Sequence, residues 1–441
     1  MATNLYRVPS STGSQTKFTF SFWWKNNCNH GSDKCFFSSG LNSSNYFMIR
    51  TTGNEQLELL ALDNGSATMR YKPTRYYRDN NAFYHIVIAV DTTQSGGNRL
   101  KWYTNGVRET AFDLSTEPNQ NTNLLYINDT TTHAIGRKNV TQDKYFQGTL
   151  SHYHFTDGYV YDASAFGSTD SVTGEWQINT SPSVTYGTNG FFILKDGNSV
   201  TDQSGNNNNW IVGNGTLTKT EDCPSNVFAT GNPLHRGANL TDATFSNGNT
   251  THEGTSSGGS YPYTFSTLAA SSGKWYAEFK RVNGETMMGI GRGKAATYPG
   301  SDTYEYTYFS NGILYNNDSS LGSYGNALNN NDIVGVAMDL DNNAAYWSIN
   351  GVWQNSGVPT SGASKTGAQS ITAASSNGYG VYHFVYGKGG STVTDIEANF
   401  GNGYFGTTAV SSAGTNASGN GIFEYDVPTG YTALSTKGLN L

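Results

Sequence analysis

Charge is scarce in this 441-residue chain: Asp, Glu, Lys and Arg together make up 13% of it, and the formal net charge is −7. No stretch gathers lysines and arginines densely. That argues against a nucleic-acid surface, because phosphate binding rests on concentrated positive charge. Long apolar runs are also missing, and none approaches the roughly 18 residues of a membrane-spanning helix, so no membrane insertion is expected. The opening stretch, MATNLYRVPSSTGSQ, lacks the basic-then-apolar pattern of a secretory signal. Synthesis in a cytoplasm without Sec-type export is the expectation. Three cysteines, Cys28, Cys35 and Cys223, do not make a disulfide scaffold. Cys28 and Cys35 are near enough for one local bridge, with ordinary thiols as the alternative. Zinc is not expected, since Cys28, His30 and Cys35 have no fourth ligand nearby. Nucleotide-binding signatures are absent as well. GIGRGK at 289–294 lacks the spacing of a phosphate loop and reads as a strand and turn.

What the chain does have is glycine and aromatics: 52 Gly, 29 Tyr and 22 Phe. Aromatic and β-branched residues favour pleated strands, while Gly, Asn and Ser favour turns. Helical stripes are absent, so the fold class is all-β. KFTFSFWW at 17–24 alternates, with Phe18, Phe20 and Phe22 on one face. YFMIRTT at 46–52 and QLELLALD at 56–63 read as successive strands. In FYHIVIAVDTTQSGGNRLKWYTNGV, at 83–107, Tyr84, Ile86, Ile88 and Val90 share one face and Phe83, His85, Val87 and Ala89 the other. A strand apolar on both sides belongs in a sheet covered on both sides. Asn105-Gly106 is the strongest short hairpin signal, because both residues accept positive φ. LLYIN at 124–128, HAIG and the run from Tyr145 to Tyr161 read as further strands, 166–190 as a long loop, and FFILKD at 191–196 as a strand. Residues 213–235 carry two prolines and no periodicity. Two antiparallel, jelly-roll-like β-sandwiches in tandem are therefore expected, at 1–212 and 236–441, with 213–235 as linker.

NNDIVGVAMDLDNNAAYWSINGV, at 330–352, repeats the layout of 83–107. Val334, Val336, Met338 and Leu340 share a face, and Ala345, Trp347 and Ile349 share a face of the return strand. Asp339, Asp341 and the asparagines beside them fall at the turn, where Asp and Asn bond their own backbone. Calcium, which needs six to eight oxygen ligands, and a catalytic carboxylate are the alternatives there. His152 and His154, two apart on one strand, are either metal ligands or polar residues on an exposed face. The uncharged, amide-rich composition suits a protein exposed to salty water, since little stability then depends on screened ion pairs.

FTFSFWWK, FYHIVIAVD…RLKWYTNGV and FQGTLSHYHFTDGYVYDASAFG together resemble the laminin-G-like, or concanavalin A-like, family over about the first 210 residues. SSGKWYAEFK, MGIGRG, DIVGVAMDLDNNAAYWSINGV, ANFGNGYF and VPTGYTAL resemble the SPRY family over most of 236–441. Joined by FFILKDGNSVTDQSGNNNNW, the pair resembles structural proteins of tailed bacteriophages. That resemblance implies a virion protein (a tail fibre or appendage) that adheres to a host-surface glycan, contacts other virion proteins, and works as a homo-oligomer, a trimer or ring. A head or tail decoration without a host ligand is the alternative. A glycan-active enzyme is the third reading, and no enzyme is expected. Concanavalin A-like glucanases use paired carboxylates, and their Glu-x-Asp-x-x-Glu pattern is absent. Glu55 and Glu58 are spaced to point to opposite faces, and Glu175, Glu221 and Glu278 stand alone. Calcium is the one cofactor left open by the resemblance, with DNGS at 63–66 and DQSGNNNN at 202–209 as candidate loops, but no residue maps onto a family metal site.

SPRY domains usually recognise partners through loops at one end of the sandwich, and 297–318, TYPGSDTYEYTYFSNGILYNND, corresponds to that region. A sugar site wants an aromatic platform with amide or carboxylate groups beside it. Tyr298, Tyr304, Tyr306, Tyr308, Asn316, Asn317 and Asp318 are the candidate ligand-binding residues. Subunit contact and plain surface are the competing roles for these tyrosines.

Overall fold

The aromatic alternation seen in the sequence becomes two pairs of facing sheets. The computed structural model describes residues 3–26, 31–195, 199–236, 242–255 and 259–440. The chain divides into two units, Met1–Lys219 and Thr220–Leu441. In the first, an eight-stranded sheet runs Phe112–Thr116, Ser66–Pro73, Leu57–Asp63, Asn45–Thr51, Lys34–Asn42, His133–Ile135, Leu5–Arg7, Ile211–Val212. A six-stranded sheet runs Phe191–Ile193, Gly148–Asp157, Lys17–Asn26, Phe83–Asp91, Leu100–Thr104, Val107–Arg108. Phe18, Phe20, Phe22, Trp24, Ile86, Ile88 and Val90 from the second sheet meet Phe37, Phe47, Ile49, Leu57 and Leu59 from the first in one core. Edge-on and tilted ring pairs fill it, such as Phe20 against Phe37 and Phe155, each at 4.8 Å.

The second unit repeats this plan. A seven-stranded sheet, Gly231–Arg236, Tyr263–Ser266, His383–Lys388, Thr286–Gly291, Tyr306–Phe309, Ile313–Asn316, Ser319–Ser323, faces a sheet centred on Lys274–Asn283 and Ile333–Asp339. Between them lie Phe279, Met288, Tyr308, Val334, Val336, Met338, Trp347 and Phe384. The fold is thus nearly all-β, with concanavalin A-like sandwiches in tandem.

The outer face of Phe83–Asp91 is covered as its apolar character demands, but by a covering segment rather than a sheet. Val87 packs with Ala163 and Phe166, and with Trp176 and Tyr161. Residues 166–190 are not one long loop: Gly167–Thr169 and Trp176–Ile178 form a small hairpin. LLYIN is not a strand either. Leu124 and Ile127 are buried, but Tyr126 and Asn128 take φ of 69° and 59°, which breaks an extended ladder. The division between the units falls inside 213–235, and that stretch is built into them. Gly213 N–H donates to the Asn4 carbonyl. Phe228 is buried and bridges Ser435, and Gly231–Arg236 is a strand.

Both acidic stretches resolve into hairpin chemistry. The Asp339 carboxylate accepts the Asn342 backbone N–H (3.0 Å) and side-chain amide (2.8 Å) and pairs with Lys274 at 3.1 Å. Asp341 accepts Gly273 N–H at 2.7 Å. Asp91 likewise accepts from Thr93 and Gln94. The following turns match residue for residue. Asn105 and Gly106 have φ of 46° and 77°, Asn350 and Gly351 48° and 79°. In each, the Asn side-chain oxygen accepts the N–H of the facing strand's residue, His85 at 2.7 Å and Ile333 at 2.9 Å.

A substitution series checks these turns. A Cβ on Gly106 collides with the Trp176 ring, and one on Gly351 lies 2.7 Å from Tyr425 Cδ1. Gly65, with φ of 78°, has nothing within 4 Å. Gly106→Ala and Gly351→Ala are each expected to cost ~2–3 kcal/mol, and Gly65→Ala about 1 kcal/mol, in thermal unfolding. Equal losses at all three would remove the packing contribution.

Candidate functional site

The site begins where the strand Thr286–Gly291 ends and the chain emerges as Arg292. Its guanidinium is held from four directions. Nη2 donates to Asp302 Oδ2 at 2.8 Å, and Nη1 to the Asn377 carbonyl at 2.7 Å. The plane lies 4.5 Å from the Tyr304 ring centre and 5.0 Å from that of Tyr379, within reach of a cation–π contact. Arg292 therefore ties the loop before Tyr306–Phe309 to the loop before His383–Lys388. Lys294 stands 3.3 Å from the same Asp302 carboxylate. Burial alone would raise the Asp302 carboxyl, but the Arg292 hydrogen bond and charge and the Tyr304 N–H bring it below its ordinary value.

The loop 296–305 is rigidly latched. Tyr263 OH accepts Ala296 N–H at 2.6 Å. Gly300 N–H donates to Glu305 at 2.8 Å. Asn316 donates to the carbonyls of Thr303 (2.7 Å) and Glu305 (2.8 Å). Thr303 donates to Asn317 at 2.9 Å, and Tyr298 OH donates to Asp318. Glu305 is fully buried, and burial, with the Asp302 charge beside it, pushes its carboxyl up to about 8. The shift favours its protonated form.

The fold separates the candidate residues into two groups. Tyr298, Asn316, Asn317 and Asp318 do come together, as the latch just described; Asn317 and Asp318 are the turn itself, with φ of 52° and 59°. Tyr306 and Tyr308 do not form a surface platform. Their shared face points inward, and both are core residues. Tyr306 OH lies 3.3 Å from Thr372 Oγ1, and Tyr308 OH donates to the Asn326 carbonyl. Tyr304 is half-buried beneath Arg292. Around Arg292 the exposed side chains are Tyr379, at 55%, and Lys294, at 51%; in the latch Thr303, Asn317 and Asp318 are exposed as well. Sequence reasoning found neither Tyr379 nor Lys294. No motif in the sequence singles out Tyr379, and Arg292 and Lys294 lie in GIGRGK, read only as strand and turn.

The other candidates are engaged structurally. His152 and His154 are buried, not on an exposed face. A register shift between Ser151 and His154 breaks the alternation there, with His152 at φ 46°. His154 Nδ1 is 2.9 Å from Tyr186 OH. Glu55 lies in a turn at φ 64°, while Glu58 is buried between Arg50 and Arg70, at 2.7 Å from each. Asp202 accepts the N–H groups of Phe192, Ser204 and Asn208 and the Ser204 hydroxyl. Four donors thus reach its two oxygens. In DNGS, Asn64 and Gly65 form a hairpin turn at φ 50° and 78°. Among the described residues, no three His, Cys, Asp or Glu side chains are grouped to hold a metal ion. Cys35 and Cys223 are free thiols, and burial pushes Cys35 up to about 12; Cys28 and His30 lie outside the described residues. A cavity lined by Arg7, His133, Asn189 and Trp210 has room for about one water. Among the described residues, no helix is long and apolar enough to cross a membrane.

No curated protein matches the chain. Among solved structures, it is similar to the SPRY domain of human HERC1, with 15% identity, TM-score 0.30, and coverage of 38% of this chain and 96% of that one. It is also similar to the native heptameric SAP-like pentraxin from Limulus polyphemus, with 14% identity, TM-score 0.30, and coverage of 48% and 88%. Residues 2–164 match the laminin-G family model described as the concanavalin A-like lectin/glucanases superfamily.

Proposed function

We propose that this chain is a non-catalytic adhesion protein of a tailed-bacteriophage virion, a tail fibre or appendage. In this role the Arg292–Tyr304–Tyr379 end of its second unit contacts a host-surface glycan. The observation that carries adhesion is the exposed Tyr379 ring, stacked on a guanidinium that is itself fixed by Asp302, Asn377 and Tyr304. An aromatic face held rigidly beside hydrogen-bonding groups suits the C–H face and hydroxyls of a sugar. The match of residues 2–164 to a lectin/glucanases superfamily model supports glycan adhesion by the chain, though it lies in the first unit and not at this end of the second. The virion setting rests on the combined motif resemblance and on the low-charge, amide-rich composition.

Non-catalytic action is supported by where the carboxylates are spent. Glu58 is clamped by two arginines, Glu278 by two backbone N–H groups, and Asp339 by its own turn. Each contact would be weak, so a trimer or ring would raise the avidity of clustered copies.

Antibody labelling of purified particles, together with inhibition of phage adsorption by the free protein, tests this function. Labelled particles with dose-dependent inhibition are expected. Labelled particles without inhibition would favour a decoration protein that has no host ligand. Label confined to the infected cell would remove the virion role.

A further inference from the structure

We infer that the saccharide taken at the Arg292–Tyr379 end is anionic, carrying a carboxylate or sulfate group. This inference rests on the adhesion function proposed above and specifies its ligand. Three observations point to it.

The first is local charge. Two cations, Arg292 and Lys294, share the single carboxylate of Asp302. Asp302 is nearly closed off, with its side chain 3% exposed, whereas the Lys294 side chain is 51% exposed. The negative partner lies beneath the cations, and the outward side is positive. Glu305, below Asp302, adds no second negative charge while it holds its proton.

The second is spare donor capacity. A guanidinium has five N–H donors. Asp302 and the Asn377 carbonyl engage one N–H of each terminal nitrogen of Arg292, which leaves one N–H on each; the Nε is closed off from solvent, and the side chain as a whole is 14% exposed.

The third is the neighbouring ring. Tyr379 is 55% exposed, within 5.0 Å of that guanidinium. A uronate or sulfated sugar presents an apolar C–H face to stack on such a ring and an anion to meet the cations beside it. An acidic peptide would use the cations but has less need of a flat aromatic face. The chain as a whole is negative, at −7, so its long-range field repels polyanions, and any binding must come from a local positive site.

The test is titration of the full chain against immobilised polygalacturonate, dextran sulfate, neutral dextran and poly-glutamate, at low and physiological salt. Saturable binding to one or both anionic polysaccharides is expected, weakening with salt and absent for neutral dextran and poly-glutamate. The polysaccharide that binds separates carboxylate from sulfate. Lys294→Glu is expected to weaken binding about tenfold or more. Tyr379→Ala should abolish binding, and Tyr379→Phe should retain most of it. Lys437→Glu is the matched charge control. The Lys437 side chain is exposed, and its backbone N–H donates to the Asn226 side chain. Lys437→Glu should leave binding within about twofold.

Equal binding to neutral dextran, or equal losses from Lys294→Glu and Lys437→Glu, would overturn the inference and leave glycan adhesion standing. Preference for poly-glutamate would overturn it in favour of a peptide ligand. No binding to any of the polymers would overturn it, and if host-surface glycans also failed, the adhesion function would fall with it.

Discussion

Glu278→Ala is expected to destabilise the second unit by ~3–5 kcal/mol, because it strands several buried donors at once. Glu278 lies fully buried in Lys274–Asn283. Its carboxyl accepts the backbone N–H groups of Glu424 at 2.8 Å and Tyr425 at 2.9 Å, with Tyr276 OH at 3.2 Å and the Asn399 amide at 3.3 Å. The residue therefore fastens a C-terminal segment to the central sheet. Burial raises the carboxyl to about 7 in spite of these donors. A raised carboxyl binds its proton more tightly folded than unfolded. Its contribution is full below the ordinary value of 4.5 and declines as pH rises through about 7. Glu278→Gln should lose less than alanine, since one oxygen still accepts a backbone N–H while its amide faces the other, and it should remove this part of the pH slope. Urea unfolding of both variants at pH 5 and pH 8 reads the effect. A loss below about 1 kcal/mol for alanine, the scale of a surface change, would mean that other contacts hold the segment.

Acid should weaken the first unit before the second. His85 and His154 lie under the covering segment 158–190, and burial drives both far below the ordinary 6.5, His85 to about 3. Their neutral forms are built into the packing. Trp176 Nε1–H donates to His85 Nδ1 at 3.0 Å, and His85 Nε2 lies 2.9 Å from Ser21 Oγ. The His85 ring stacks between Trp23 and Trp176. His154 stacks on Phe192 at 3.9 Å and meets Tyr186 OH. The charged and titratable groups around the pair, His152 and Lys195, further disfavour a proton. Protonation places an N–H where Trp176 needs an acceptor. These groups contribute fully above pH 6.5, and that contribution is lost as pH falls toward about 3. Each pH unit across that window is worth ~1.4 kcal/mol, so the loss for His85 alone is on the order of 5 kcal/mol at the acid limit.

In the second unit burial depresses His383 to about 4, but Asp395, Glu278 and Glu305 are raised, to about 6, about 7 and about 8, and acid favours the folded state of these three. Calorimetry at pH 7.5 and pH 4.5, with tryptophan fluorescence, should show the first unit's transition moving down while the second holds. His85→Gln, which keeps an acceptor without titrating, should flatten the slope. Transitions that move together, or a second unit that melts first, would contradict this.

The sheets were legible because alternation is a local property. Phe18, Phe20 and Phe22, and the two faces of 83–90, needed only a period of two. The Asn-Gly turns were legible for the same reason, since positive φ is written into the residue type. LLYIN misled because burial and extension are separate properties: Leu124 and Ile127 face the core from a turn. Tyr304, Tyr306 and Tyr308 misled differently. Period two says which side chains share a face, not which face meets water. The latch of Tyr298, Asn316, Asn317 and Asp318 lay within 21 residues of chain and could be found. Arg292 and Tyr379 stand far apart in sequence and meet only because the strands that carry them are neighbours in one sheet. No local pattern announces such a pair.

Adhesion through the end of the second sandwich is tested most directly by binding of the purified chain to host-cell envelope polysaccharide, with and without Tyr379→Ala. Saturable binding by the parent protein, lost in the variant at an unchanged melting temperature, is the result expected. Equal binding by both would place any contact elsewhere and contradict the site.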